Sequence, residues 1–261
     1  MKGYIYLLIL FFVVSGVKGI SQENSRVEKE DALVIWSDAN NRYIEGDYQS
    51  SLELYYSLVE SDYISASLFY NIANCYYKQG NISKAILYYE RSLKLDLSNR
   101  DVINNLSIVK LRTTDTIDEL PEFFIKTWVR NFNYKFNSNT WSYISLIFLT
   151  LSLTLFVLFR FSIRSGVRKF YFFSSVILLC VTFLFLGFAV NQKINYNRQD
   201  AAIIMQPVVT LRSTPSNSGT TLFILHEGTK INIIENLGEW SRVEIADGRQ
   251  GWIKKSDIEI I

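Results

Sequence analysis

The chain has 261 residues, 49% of them apolar, and a net charge of +2. The apolar residues concentrate in two long uncharged runs and a hydrophobic start, which excludes a single water-soluble globule. Charge is equally uneven: residues 21–120 carry ten Lys/Arg against sixteen Asp/Glu, residues 121–199 nine against one, and residues 200–261 six against eight. Basic charge thus gathers around the apolar runs, as it does beside membrane spans. It does not form the soluble basic patch of a nucleic-acid-binding protein, so no nucleic-acid partner is expected.

At the start, Lys2 precedes the apolar run 5–14, and Val17-Lys18-Gly19 follows. Residues 1–19 have the outline of a secretory signal peptide. The competing reading is an uncleaved anchor, for which the run is short. No cysteine follows that would carry a lipid.

Residues 66–97 read ASLFYNIANCYYKQGNISKAILYYERSLKLDL, a helix-turn-helix with large and small residues at fixed offsets. Gly46 and Gly80 lie 34 residues apart, each followed by a polar residue and a helical pattern: GDYQSSLELYY and GNISKAILYYE. That period resembles the tetratricopeptide repeat. In the second copy, Phe69, Ile72, Ala73, Tyr76, Gly80, Ala85, Tyr89 and Ser92 match the family's positions, while Leu97 replaces the usual proline. The first copy, from Ala32, matches through Gly46, Tyr48, Ser51, Tyr55 and Leu58, but Asp38 and Arg42 stand where Leu and Tyr are usual. The predicted repeats are about 32–65 and 66–99, with a capping helix at 101–112, in a domain spanning 20–120. The resemblance implies a binding groove lined by the first helix of each repeat. In this register Trp36, Asn40 and Tyr43 face it from copy one, and Tyr70, Asn74 and Tyr77 from copy two. Such side chains suit an extended peptide or a partner helix; the other reading is that they only pack between helices. Asn40 and Asn74 resemble the amides with which some family members hold a peptide carboxylate, but Trp36 and Tyr70 replace the lysine those clamps use.

Residues 121–140 form an amphipathic juxtamembrane segment. Phe124, Trp128 and Phe132 recur every four residues, with Lys126, Arg130 and Lys135 interspersed. A helix in the headgroup layer and a helix packed on the repeats both fit. Residues 141–159 and 170–190 contain no charge and are long enough to cross about 30 Å of hydrocarbon as helices. Between them, residues 160–169 carry Arg160, Arg164, Arg168 and Lys169 and no acid, so this loop is expected in the cytoplasm. Both soluble parts then share the opposite side, as a signal peptide also requires. Neither span holds an ionisable side chain, so both read as anchors and not as an ion path. Ser152, Thr154 and Thr182 are expected to bond back to their own helices. Cys75 and Cys180 sit in different elements, so no disulfide and no metal pair is expected.

From residue 200 the pattern turns to short alternating strands, five or six in number, which suits a small barrel. It resembles the bacterial SH3-like family through Val209-Thr210-Leu211-Arg212-Ser213, Pro215, Glu227-Gly228-Thr229, Gly238-Glu239-Trp240 and Gly251-Trp252-Ile253. Trp240 and Trp252 either line a shallow ligand groove or close the core. His226, the one histidine, has no nearby Cys or acid pair in sequence for a metal site or a general base.

The order of these parts resembles the BatE family of bacterial aerotolerance operons. That resemblance implies a multidomain protein of the bacterial inner membrane, with a helical repeat domain, two spans and an all-β barrel, and both soluble parts periplasmic. It also implies partners: Bat proteins with von Willebrand A domains and a MoxR-type AAA ATPase system. The function expected is a non-enzymatic scaffold acting in stress or oxygen tolerance. The alternative is a receptor that reads peptidoglycan or a peptide through the barrel. No nucleophile–base set, carboxylate pair, phosphate loop or ligand spacing points to catalysis or to a cofactor.

Overall fold

A computed structural model describes residues 24–117 and 123–261. The expected signal peptide, residues 1–19, lies outside the described residues. The chain divides into two compact units, 1–64 and 65–261.

In the first unit, α1 (Asn24–Glu45) and α2 (Tyr48–Glu60) form a helical pair. Gly46 turns the chain at φ +86°, a conformation glycine adopts without steric cost. The Asp47 carboxylate then caps α2 by accepting the Ser50 N–H. The helices approach closely where Ser51 faces Ala39, and the Ser51 hydroxyl donates to the Ala39 carbonyl at 2.8 Å.

The second unit repeats these devices 34 residues later. Its helices are α3 (Ala66–Lys78), α4 (Ile82–Leu95) and α5 (Arg100–Lys110). Gly80 turns at φ +80°, Asn81 caps α4 through the Lys84 N–H, and Ala85 is the fully buried small residue. Ser65 caps α3 and Asn99 caps α5. Val102, Leu106 and Val109 bury the inner face of α5. That helix stops at Lys110, two residues short of the expected end.

Three more helices follow: α6 (Phe124–Asn133), α7 (Ser138–Phe161) and α8 (Ser165–Asn197). α7 and α8 are long and apolar enough to cross a membrane, at 24 and 33 residues. They form an antiparallel hairpin, and the small residues between them recur every seventh position. Ser138 donates to the Ala189 carbonyl at 3.0 Å, and Ser145 to that of Thr182 at 3.2 Å. Ser152 and Ser175 exchange hydroxyl-to-carbonyl bonds at 2.9 and 3.1 Å. Small side chains let helices approach where lipid offers no hydrophobic drive. Thr154 and Thr182 bond back to their own helices as expected, but Ser152 bonds across the hairpin instead. The basic stretch 160–169 is not a ten-residue loop. Helix continues into it from both sides, and residues 162–164 alone make the connection.

The last part is an all-antiparallel sheet of seven strands, more than the five or six expected. They are β1 (Ala201–Ile204), β2 (Val208–Arg212), β3 (Thr221–His226), β4 (Lys230–Leu237), β5 (Trp240–Glu244), β6 (Gln250–Lys254) and β7 (Ile258–Ile260). Their order is β3-β2-β6-β5-β4-β1-β7. The sheet bends around a core of Ala202, Ile204, Leu211, Leu225, Val243 and Ile253. The additional strands are β1 and β7, which pair with each other and are only four and three residues long.

Candidate protein-interaction surfaces

Each residue expected on the repeat groove is half-buried and held within its own unit. In the first unit the Tyr55 hydroxyl lies 2.6 Å from Asn40 Oδ1. The Trp36 ring meets Tyr55 edge-on at 5.7 Å, and Tyr43 meets Tyr48 at 5.4 Å. In the second unit Tyr89 donates to Asn74 Oδ1 in the same way. The Tyr70 ring lies 5.9 Å from Tyr89, and the Arg112 guanidinium lies 4.9 Å from the Tyr77 ring centroid. Asn105 of α5 adds to the network, donating to the Tyr70 hydroxyl at 3.0 Å and to Asn74 Oδ1 at 3.3 Å. Asn40 and Asn74 are therefore helix-pair fasteners, and their carbonyl oxygens already accept from tyrosine. Tyr70 and Tyr77 keep partly exposed rings. Asn105 lay outside the sequence reading, which placed α5 only as a cover.

The β domain is seated on α4. That helix is buried at every residue from Ala85 to Glu90, a run wider than one packing face supplies. Its stripe Ile82, Ile86, Glu90, Lys94 and the neighbouring stripe Ser83, Leu87, Arg91 lie along one side. Ser83 donates to the Glu227 carboxylate at 2.9 Å. Arg91 pairs with Glu259 at 3.0 Å and with the Ile260 carbonyl at 2.7 Å. Lys94 donates to the carbonyls of Arg198 and Ile261 at 2.6 and 2.8 Å. Gly228 sits so close that a Cβ there would stand 2.9 Å from Thr113 Cγ2 and 3.1 Å from Ile86 Cδ1.

Glu90 is the charged centre of this seam. Its carboxylate lies 2.7 Å from Lys230 Nζ of β4 and 3.0 Å from Lys110 Nζ of α5. Burial pushes its pKa up, but the two ammonium groups outweigh burial and hold it below the ordinary glutamate value. The segment after α5 straps the β domain down. Asp115 accepts the His226 N–H at 2.6 Å and the Thr229 hydroxyl at 2.7 Å, and its other oxygen lies 2.7 Å from His226 Nδ1. Burial again pushes upward, and the bonds from His226 and Thr229 bring the Asp115 pKa below its usual value. Two residues on, Ile117 packs against the β core. The expectation that His226 has no acid partner is thus corrected. The acid comes from a residue 111 positions earlier and builds a latch.

Neither Trp240 nor Trp252 closes the core. Along β5 and β6 the core face is Ser241, Val243, Gly251 and Ile253; the tryptophans alternate onto the other face and are half-buried there. Trp240 stands opposite Lys254, whose ammonium is 5.7 Å from its ring, and Trp252 stands opposite Arg242. Among the described residues no group of three or more His, Cys, Asp or Glu is placed to hold a metal ion.

Comparison with known proteins divides the chain along the same lines. The tetratricopeptide repeat family matches residues 66–99, and the bacterial SH3 domain family matches residues 207–259. Over 83 residues the chain is 31% identical to the photosystem I assembly protein Ycf3 of Cyanophora paradoxa, a stretch covering 31% of this chain and 48% of that protein. The chain thus spans about half the length of the curated relative it matches. Both matched domains are typically non-catalytic interaction modules, and neither indicates an enzyme. Protein binding is the activity these domains share, and the two long apolar helices indicate membrane association.

Proposed function

We propose that the protein is a membrane-anchored scaffold of the bacterial envelope, and that it acts as a BatE-type component beside von Willebrand A domain Bat proteins and a MoxR-type AAA ATPase. The observation that carries the scaffold reading is the seating of the SH3-like domain on α4. This domain covers one side of the second repeat, while Tyr70 and Tyr77 on α3 keep exposed ring surface for a partner. The face around Trp36, Asn40 and Tyr43 serves the same role in the first unit. The hairpin α7–α8 holds both modules at one membrane surface, with the arginines of its short connection in the cytoplasm. The order of the parts and the PEFFIKTWVRNF segment support the BatE reading.

The test is co-purification from native membranes in mild detergent. Tyr70→Ala with Tyr77→Ala is expected to release partner proteins, the von Willebrand A domain proteins among them, while the chain still folds. Unchanged recovery of those partners rules out this face as the contact surface.

A second reading rests on Trp240 and Trp252, whose half-exposed rings lie beside Lys254 and Arg242. In that reading the SH3-like domain reads peptidoglycan or a peptide. Quenching of tryptophan fluorescence by peptidoglycan fragments at millimolar concentration supports it; an unchanged spectrum counts against it.

A further inference from the structure

The outer side of α8 changes character within about one turn. Phe183, Leu184 and Gly187 are exposed and apolar, and Asn191 and Asn195 continue the same stripe. The amides at the polar end are ordered: Asn195 and Asn133 both donate to Asn191 Oδ1, at 3.1 and 3.4 Å. α6 runs alongside and contributes Lys126, Val129 and Arg130. Between the two helices lies a groove of about 490 Å³. Gly187 is at its floor, and a Cβ there would meet no atom within 4 Å. Glycine is unfavourable inside a helix, and at this position no neighbouring atom requires it. Its effect is to deepen the groove.

The lining is therefore graded, apolar on the membrane side and amide and cationic on the water side. That gradient matches a phospholipid, with its acyl chain along the apolar stripe and its phosphate at the level where backbone and side-chain donors begin. Charge complementarity selects the headgroup. Residues 121–199 carry nine Lys/Arg and one acid, and a zwitterionic lipid offers them no net charge. We infer that the groove between α6 and α8 binds one anionic glycerophospholipid, with Lys126 and Arg130 at its phosphate and Phe183, Leu184 and Gly187 along an acyl chain. The inference rests on reading α7 and α8 as a membrane hairpin. It gives α6 a task besides connection: a bound lipid joins it to α8 and fixes how the soluble modules leave the bilayer.

Native mass spectrometry of the full chain in detergent tests it, with phosphatidylglycerol or phosphatidylcholine added at equal concentration. One phosphatidylglycerol per wild-type chain is expected, at several-fold higher occupancy than phosphatidylcholine. Lys126→Gln with Arg130→Gln is expected to lower phosphatidylglycerol occupancy about tenfold or more, since each basic residue near the headgroups contributes separately, and to leave phosphatidylcholine unchanged. Gly187→Leu fills open space without touching protein atoms and is expected to lower retention of both lipids. Equal binding of the two lipids to wild type, or unchanged phosphatidylglycerol binding in either variant, overturns the groove. A wild-type chain that stays in the aqueous phase during detergent phase separation overturns the membrane reading itself, and the two failures are told apart by that step.

Discussion

Asp115 holds the β domain to the helical repeat with one side chain, through two hydrogen bonds and a contact with the His226 ring. Its pKa is lowered in the folded chain. The stabilisation is therefore complete above the unfolded value of about 4 and is lost as the pH falls through the lower folded value. Glu90 shifts in the same direction and adds to the same acid limb. Denaturation followed by tryptophan fluorescence should show wild-type stability flat above about pH 5 and falling below about pH 4. Asp115→Ala, which leaves the His226 N–H and the Thr229 hydroxyl without their acceptor, should cost about 1–3 kcal/mol at neutral pH and flatten that fall. Replacement of Glu90 by Gln leaves Lys230 and Lys110 without a counter-charge and should cost a similar amount, about 1–3 kcal/mol. None of this was legible locally, since an Asp in a polar stretch does not announce a partner 111 residues away. The amides Asn40 and Asn74 show the converse. Their 34-residue spacing was plain in the chain, but it marked a bond to Tyr55 and Tyr89 inside each helix pair and not a ligand contact.

At the scale of elements, local chemistry was readable and contacts between distant elements were not. The turn glycines Gly46 and Gly80, the caps Asp47 and Asn81 and the close-approach residues Ser51 and Ala85 recur at one period, so the helix pairs follow from short-range pattern. The run Ala85-Ile86-Leu87-Tyr88-Tyr89 carried a further signal. At the positions equivalent to Ile86 and Leu87, α2 has Leu52 and the exposed Glu53, whereas Leu87 is fully buried. An apolar residue where the sister repeat has a charge indicates that α4 has a second covered face. What covers it is set by tertiary contacts no local pattern encodes. Gly228→Ala tests the fit. The residue sits at φ +84° with 2.9 Å to Thr113 Cγ2, so the variant should lose about 1–2 kcal/mol from the backbone alone and more from the clash. Hydrogen exchange of α4 and β4 amides should then accelerate together. In the hairpin, Ser138, Ser145 and Ser152 face Ala189, Thr182 and Ser175. Ser152→Ala should cost roughly 0.6 kcal/mol, the average for such bonds in a membrane. Ser152→Leu should separate the helices, seen as loss of a cross-link between cysteines placed at Ser145 and Thr182.

At the scale of the molecule, the second unit joins membrane hairpin, helical repeat and β domain in one chain segment. In that segment the β domain covers α4 and leaves ring surface on α3. The fold class was legible because each part carries its own periodicity: 34 residues for the helix pairs, uncharged runs for the spans, and alternation for the strands. The seating of one part on another depended on single residues scattered over the chain. The proposed topology has a direct check in cysteine labelling of cells. Asn217→Cys in the β domain should react with an impermeant reagent from outside, and Ser165→Cys at the start of α8 should react only after lysis.

The scaffold claim itself is tested most directly by site-specific photocrosslinking in living cells, with a photoreactive phenylalanine analogue at Tyr77 on α3 and, as a control, at Val208 on the exposed side of β2. A discrete protein adduct at position 77 that is absent at position 208, and that disappears with Tyr70→Ala, is the expected result. Adducts only at 208, or none at 77 in a chain that is folded and in the membrane, would contradict it.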